Sequence, residues 1–173
     1  MSPAGPTLLV ISGLPGSGKS TLAAWVVARW PTVTCSVDPI ESAMAEAGID
    51  PGFEGGLAAY LVAARIAEAT LRAGLDAIVD AVSSVDPART LWRSVAERSG
   101  STLRVVVCEV DPAIQPTRLA SRDRGLTCGE PTLADVEARR AEWSEWPETV
   151  LCVDTAAGAT ACVDAVARFL REP

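Results

Sequence analysis

The segment from Thr7 to Ser20 constrains this chain more than any other. An apolar, β-branched run, Thr7 to Ser12 (TLLVIS), ends at Gly13-Leu14-Pro15-Gly16-Ser17-Gly18-Lys19-Ser20, which fits the pattern G-x-x-x-x-G-K-[ST]. The run before it reads as a buried strand. Ser20 to Trp30 continues with Leu22 and Val26 four residues apart and stops at Pro31, so it reads as a helix. Strand, glycine-rich turn and helix in that order form a phosphate-binding loop. Its main-chain N–H groups point inward, and the helix adds the positive end of its dipole.

Alternation then runs to the end of the chain. Strands are predicted at Thr32–Val37, Leu75–Val79, Leu103–Val110 and Thr149–Val153, the first two closing on Asp38 and Asp80. Helices are predicted at Pro39–Ala47, Leu57–Ala73, Asp86–Arg98 with Asp86 as N-cap, Pro112–Arg122, from Thr132 onward with Asp135 completing a capping box, and Ala159–Arg171. Gly48–Gly56, with Pro51 and Phe53, reads as a loop, and residues 123–131 read as a mobile lid. Strands alternating with helices predict a single α/β domain over residues 1–173 with a buried parallel sheet. Ligands of such sheets bind at the carboxyl ends of the strands.

Composition narrows the chemistry. The chain has no histidine, which excludes a Ser-His-Asp or Cys-His nucleophile and a His-ligated zinc site within it. Its five cysteines are widely spaced with no C-x-x-C pair, and are expected to be buried apolar residues in a reducing compartment. A net charge of −7 disfavours a nucleic-acid partner. No run approaches the roughly 20 apolar residues that span a bilayer, and Met1–Pro6 lacks the pattern of a signal peptide. The expected location is the cytoplasm, with no membrane partner. Lys19 is the only lysine in the chain.

In the loop, Gly13, Pro15, Gly16, Ser17, Gly18, Lys19, Ser20 and Thr21 are the candidates for holding a nucleoside triphosphate. Lys19 reaches toward the β- and γ-phosphates, and Ser20 offers its hydroxyl to Mg²⁺. No guanine-reading N-K-x-D run is present, which favours ATP. Asp38 and Asp80, at strand ends beside the loop, can divide two tasks: aligning an acceptor hydroxyl and supporting magnesium. Asp38 is assigned to the hydroxyl, and Asp80 to the magnesium shell or the acceptor. Glu41, one helical turn beyond Asp38, is a further acceptor-side candidate. Arg118 and Arg122 are expected to share a helix face and, with Arg124, to meet the phosphates, Arg122 catalytically. Phe53, Tyr60, Trp143 and Trp146 are weaker candidates for an acceptor pocket, packing being their simpler role. Surface pairing is the simpler account of Arg65 and Arg89.

With these residues in place, the chain resembles the small P-loop kinases of the zeta-toxin, chloramphenicol phosphotransferase and polynucleotide 5′-kinase type. The resemblance rests on LLVISGLPGSGKST, SVDPIESAM, AIVDAVSSVDPARTLWRSVAERSG and TRLASRDRG, and covers nearly the whole chain. It implies a three-layer α/β/α P-loop NTPase fold with a five-stranded parallel sheet in the order 2-3-1-4-5. It also implies Asp38 as base toward the acceptor hydroxyl, and Arg122 and Arg124 on the triphosphate. Polynucleotide kinase carries an arginine a few positions past its catalytic acid, whereas Ile40 to Ala43 holds none, and VDPIESAM looks closer to the chloramphenicol phosphotransferase pattern. The expected activity is transfer of the γ-phosphoryl group of ATP to a hydroxyl of a small molecule. A nucleic-acid-end or nucleotide kinase and a nucleotide-binding module or slow NTPase stand as alternatives, and the acceptor and oligomeric state are left open.

Overall fold

The computed structural model describes residues 5–50 and 52–171. The expectations touching Met1–Ala4 and Pro51 lie outside those residues. Five parallel strands, β1 (Thr7–Ser12), β2 (Val33–Ser36), β3 (Ala77–Asp80), β4 (Thr102–Glu109) and β5 (Val150–Asp154), form one sheet in the order β2-β3-β1-β4-β5. Among the described residues, seven α-helices connect and cover them: α1 (Lys19–Arg29), α2 (Val37–Glu46), α3 (Phe53–Arg72), α4 (Asp86–Ser99), α5 (Gln115–Ala120), α6 (Leu133–Ala141) and α7 (Ala159–Phe169). The chain therefore has the P-loop NTPase α/β/α fold.

The two-residue period of the strands sorts their side chains into two cores. Leu8, Val10, Val79 and Val105 pack with Ala59, Ala63, Trp92 and Val95 from α3 and α4 on one face. Leu9, Ile11, Ile78 and Val106 pack with Leu22, Val26, Val166 and Phe169 from α1 and α7 on the other. β1 lies at the centre and is buried along its whole length. That is why TLLVIS reads as a continuous apolar run, and why the loop following it is held rigidly. Among the described residues, no helix is long and apolar enough to cross a membrane.

Several boundaries differ from the sequence reading. The loop expected through Gly56 ends earlier: α3 begins at Phe53, with Gly52 as its N-cap. Gly55 is there because a Cβ at that position would lie 2.2 Å from the Asp50 carbonyl oxygen, so the glycine serves a close approach within a helix. Asp86 is not a cap; Val85 occupies the N-cap, and Asp86 sits in the first turn of α4. The helix expected over Pro112–Arg122 is only Gln115–Ala120. The capping box of Thr132 and Asp135 is present as expected. All five cysteines are free; Cys35, Cys108 and Cys162 are buried as expected, whereas Cys152 is exposed and Cys128 partly so.

Candidate active site

The loop between β1 and α1 turns so tightly that two of its glycines have no substitute. Gly13 has φ 143°, and a Cβ there would lie 2.5 Å from the Cys108 carbonyl oxygen. Gly18 has φ 92°, and its Cβ would lie 2.7 Å from Thr155 Oγ1. Both conditions exclude a side chain. Gly18 is the N-cap of α1 and gives the first turn no side-chain acceptor, so that turn presents its N–H groups as an anion site. Ser17 Oγ is buried with no hydrogen-bond partner among the described residues. A buried hydroxyl in that condition fits a phosphate oxygen as partner.

Lys19 is 5% exposed, and its Nζ donates to the Leu14 carbonyl oxygen at 3.3 Å. Burial pulls its pKa below the ordinary lysine value, while the carboxylates of Asp80 and Asp38 pull it back. A cleft of about 430 Å³ opens beside it, lined by Gly16, Lys19, Ser20, Arg118, Arg122 and Arg124, among others. Thr21 also lines this cleft, while Gly13 and Ser17 face a neighbouring recess of about 460 Å³ shared with Arg140 and Trp143. Pro15 is buried, and its carbonyl accepts from Gln115 Nε2 at 2.7 Å.

Two residues absent from the sequence reading brace the loop. Thr155 Oγ1 donates to the Ser17 carbonyl at 2.7 Å and accepts from Arg118 Nη1 at 2.6 Å. Gln115, 3% exposed, holds Pro15 through its Nε2 and accepts from Arg140 Nη2 at 3.0 Å through its Oε1. Thr155 follows β5 at the carboxyl edge of the sheet, a position that could have marked it. Nothing local marks Gln115.

Asp38 is displaced from its expected setting. It lies in the first turn of α2, not at the end of β2, because the chain turns helical at Val37. Its carboxylate still returns to the sheet edge. Burial acts to raise the Asp38 pKa, but the positive charges of Lys19, Arg124 and Arg122 prevail and hold it below the usual carboxylate range. Asp80 ends β3 as expected, is 4% exposed, and accepts from Ser36 Oγ at 3.0 Å. The Glu41 carboxyl is pushed up by partial burial and by Asp38, against the pull of Arg139.

Arg118 and Arg122 do not share a helix face, since α5 ends at Ala120 and Arg122 lies beyond it. Arg118 turns to Thr155. Arg122 and Arg124 converge on Asp38 Oδ2, at 3.8 and 2.8 Å, and on Glu130 Oε2, at 3.3 Å each. Glu130 was not singled out from the sequence. Residues 123–131 hold no helix or strand, and they are tied to α2 by Thr127, whose N–H donates to Ser42 Oγ at 2.7 Å and whose hydroxyl donates to Glu46 Oε1 at 3.1 Å.

The aromatic candidates sort mostly into packing. Phe53 is 87% exposed. Trp143 and Trp146 stack on the Arg89 guanidinium, 5.3 and 4.7 Å from their ring centroids. Arg89 is not a surface residue. It is fully buried, donating to the carbonyls of Ser83, Ser84 and Glu145 and to Ser144 Oγ. These bonds fix the segment after Asp80, where Ser83 has φ 50° and its N–H donates to the Tyr60 hydroxyl at 3.2 Å. Arg65 is exposed and pairs with Glu68 at 3.5 Å.

The hydroxyl of Ser20 and the carboxylate of Asp80 are hard oxygen donors of the type that Mg²⁺ takes. Among the described residues there is no group of three or more His, Cys, Asp or Glu side chains able to hold a metal. An ion bound largely through water and phosphate oxygens needs no such group.

A family described as AAA domain matches residues 8–145. No curated protein matches at a significant level. Among solved structures, a proposed kinase from Chloroflexus aurantiacus superposes with a TM-score of 0.79 at 21% identity, covering 96% of this chain and 99% of that one. A sugar kinase from Janibacter gives 0.73 at 16%, covering 95% and 94%. The APS kinase CysC of Mycobacterium tuberculosis, in complex with AMPPNP and APS, gives 0.71 at 18%, covering 98% and 100%. Each is similar in fold.

Proposed function

The chain belongs to the AAA-domain family matched over residues 8–145, and from that premise we propose that it is a kinase moving the γ-phosphoryl group of ATP to a hydroxyl of a small molecule. Within the P-loop kinases, the SVDPIESAM and TRLASRDRG segments support the zeta-toxin, chloramphenicol phosphotransferase and polynucleotide 5′-kinase type. One observation carries the reading: a single sheet edge gathers a phosphate loop with its lysine, a partly buried carboxylate on α2, and two arginines from a separate segment.

In this reading the main-chain N–H groups of the loop and Lys19 bind the phosphates. Ser20 and Asp80 would hold Mg²⁺, which when bound would neutralise charge on the phosphate oxygens. Asp38 receives the acceptor hydroxyl. Its carboxylate is kept ionised by Lys19, Arg124 and Arg122, which makes it a weak base and a good hydrogen-bond acceptor. It therefore chiefly aims the hydroxyl, and takes its proton as the acceptor oxygen bonds to the γ-phosphorus and the bond from that phosphorus to the β–γ bridging oxygen breaks, ADP leaving with that oxygen. Arg122 and Arg124 stabilise charge on the migrating group. The 123–131 segment, lying on α2, excludes water.

The test is mass spectrometry of a panel of hydroxylated metabolites and antibiotics incubated with the protein and labelled ATP. One or more products heavier by one phosphoryl group are expected. Asp38→Asn should then cut transfer by roughly 10²–10⁴-fold, with ATP affinity kept within about threefold. Equal transfer rates for the two proteins would remove Asp38 from its role.

A further inference from the structure

Glu130 has no part in the transfer just described, yet both lid arginines meet its carboxylate as well as that of Asp38. Arg122 Nε and Arg124 Nε each lie 3.3 Å from Glu130 Oε2, and the Arg124 main-chain N–H donates to Glu130 Oε1 at 2.8 Å. The same guanidinia line the 430 Å³ cleft next to Lys19 and Ser20. A carboxylate oxygen bridging two guanidinia offers them the charge and acceptor geometry that a phosphate oxygen offers. Arg124 also keeps a donor in reserve: its Nη2 is buried with no hydrogen-bond partner among the described residues.

The segment is built to let go. Between Arg124 and Glu130 stand Gly125 and Gly129, both in the left-handed region, at φ 63° and 82°. Hydrogen bonds of Thr127 to Ser42 and Glu46 tie the stretch to α2. These arginines also hold Asp38, so whatever draws them away changes the surroundings of the acceptor-side carboxylate.

We propose that Glu130 is an exchangeable counter-ion for Arg122 and Arg124, displaced by the triphosphate of a nucleotide entering the cleft, so that occupation of the phosphate loop and release of Asp38 toward the acceptor are one event. The proposal rests on the reading of the cleft as a nucleotide site. Its consequence is order: Asp38 stays engaged with arginine until the nucleotide has arrived, which suppresses transfer to water.

The experiment compares wild type with Glu130→Gln by calorimetric titration with AMPPNP and magnesium, and with adenosine, over a range of salt. Removing the competing carboxylate should tighten AMPPNP by about 3- to 10-fold at low ionic strength, because the partly exposed ion pairs it forms with Arg122 and Arg124 are lost from the free protein. It should also steepen the dependence of affinity on salt and leave adenosine unchanged. AMPPNP binding that is equal or weaker in a variant of wild-type melting temperature overturns the exchange. Amide hydrogen exchange on the wild-type protein is a second readout, independent of any substitution. AMPPNP should lower protection at the N–H group of Arg124, which donates to Glu130, and protection there that is unchanged or increased contradicts the proposal. Failure of wild type to bind AMPPNP would take down the nucleotide reading as well, whereas wild-type binding without a gain in E130Q removes the exchange alone.

Discussion

The phosphate loop and the lid segment both present positive groups to the same cleft, and they are built in opposite ways. The loop works through main-chain geometry: Gly13 and Gly18 sit at φ 143° and 92° where no Cβ fits, and the N–H groups of a helix start do the binding. The lid works through side chains. Arg122 and Arg124 are set by Asp38 from α2 and Glu130 from beyond the lid turn, through ion pairs between residues up to 86 positions apart. The first arrangement is backed by the buried strand β1; the second is held by partly exposed charges, which on the proposal above a triphosphate displaces. On the proposed reading, binding by fixed backbone and response by exchangeable side chains would thus be separated along the chain.

Three substitutions break or sharpen this contrast. The largest effect is expected at the support of the acceptor side. Arg89→Met removes a fully buried guanidinium and leaves three carbonyl groups without their donor, which should cost about 3–5 kcal/mol in urea-induced unfolding. Because the loop's own bracing runs through Thr155 and Gln115, nucleotide affinity of the folded variant should change little. A loss of affinity as large as the loss of stability would show that the two halves are not separable. Next comes Gly18→Ala, which should destabilise by about 1–3 kcal/mol and weaken ATP on the order of tenfold or more. Unchanged melting and binding would mean that the turn is softer than its φ and its contact with Thr155 imply.

The smallest effect is on acid stability. The Asp38 pKa lies below its ordinary value of 3.8, so in that window the unfolded chain binds more protons than the folded one. The stabilisation is complete above 3.8 and is lost as pH falls through the folded value. Asp38→Asn should flatten this part of the stability–pH curve; an unchanged slope would mean that the arginines do not hold Asp38 as described.

The same division explains what could be read from residues alone. The alternation of strands and helices, the phosphate loop and the place of Asp80 at a strand end are legible because apolar periodicity and glycine spacing act locally, whereas the strand order follows only from the resemblance to P-loop kinases. Asp38 stands out in the sequence, but as a strand end, because nothing in SVDP announces that the chain turns helical at Val37. Gly55 looked like loop punctuation and proved to be a contact with the Asp50 carbonyl. Arg89 looked like a surface charge, since its burial depends on Trp143 and Trp146, more than 50 positions away. Gln115 escaped notice for the same reason, since it meets Pro15 and Arg140 across the fold; Glu130 meets Arg122 and Arg124 close by in sequence, but across an irregular turn whose pairing no helix or strand period marks.

The central claim is that Lys19 and the turn around it grip a nucleotide's phosphates. Calorimetric titration of magnesium-ATP into wild type and Lys19→Met tests it most directly. Methionine keeps the volume and removes a charge that burial penalises, so the variant should fold at least as well as the parent. The account predicts saturable binding by wild type and a loss of about tenfold or more in the variant, equivalent to at least roughly 1.4 kcal/mol. Equal affinities in the two proteins, or no heat from wild type with any purine triphosphate, would contradict it.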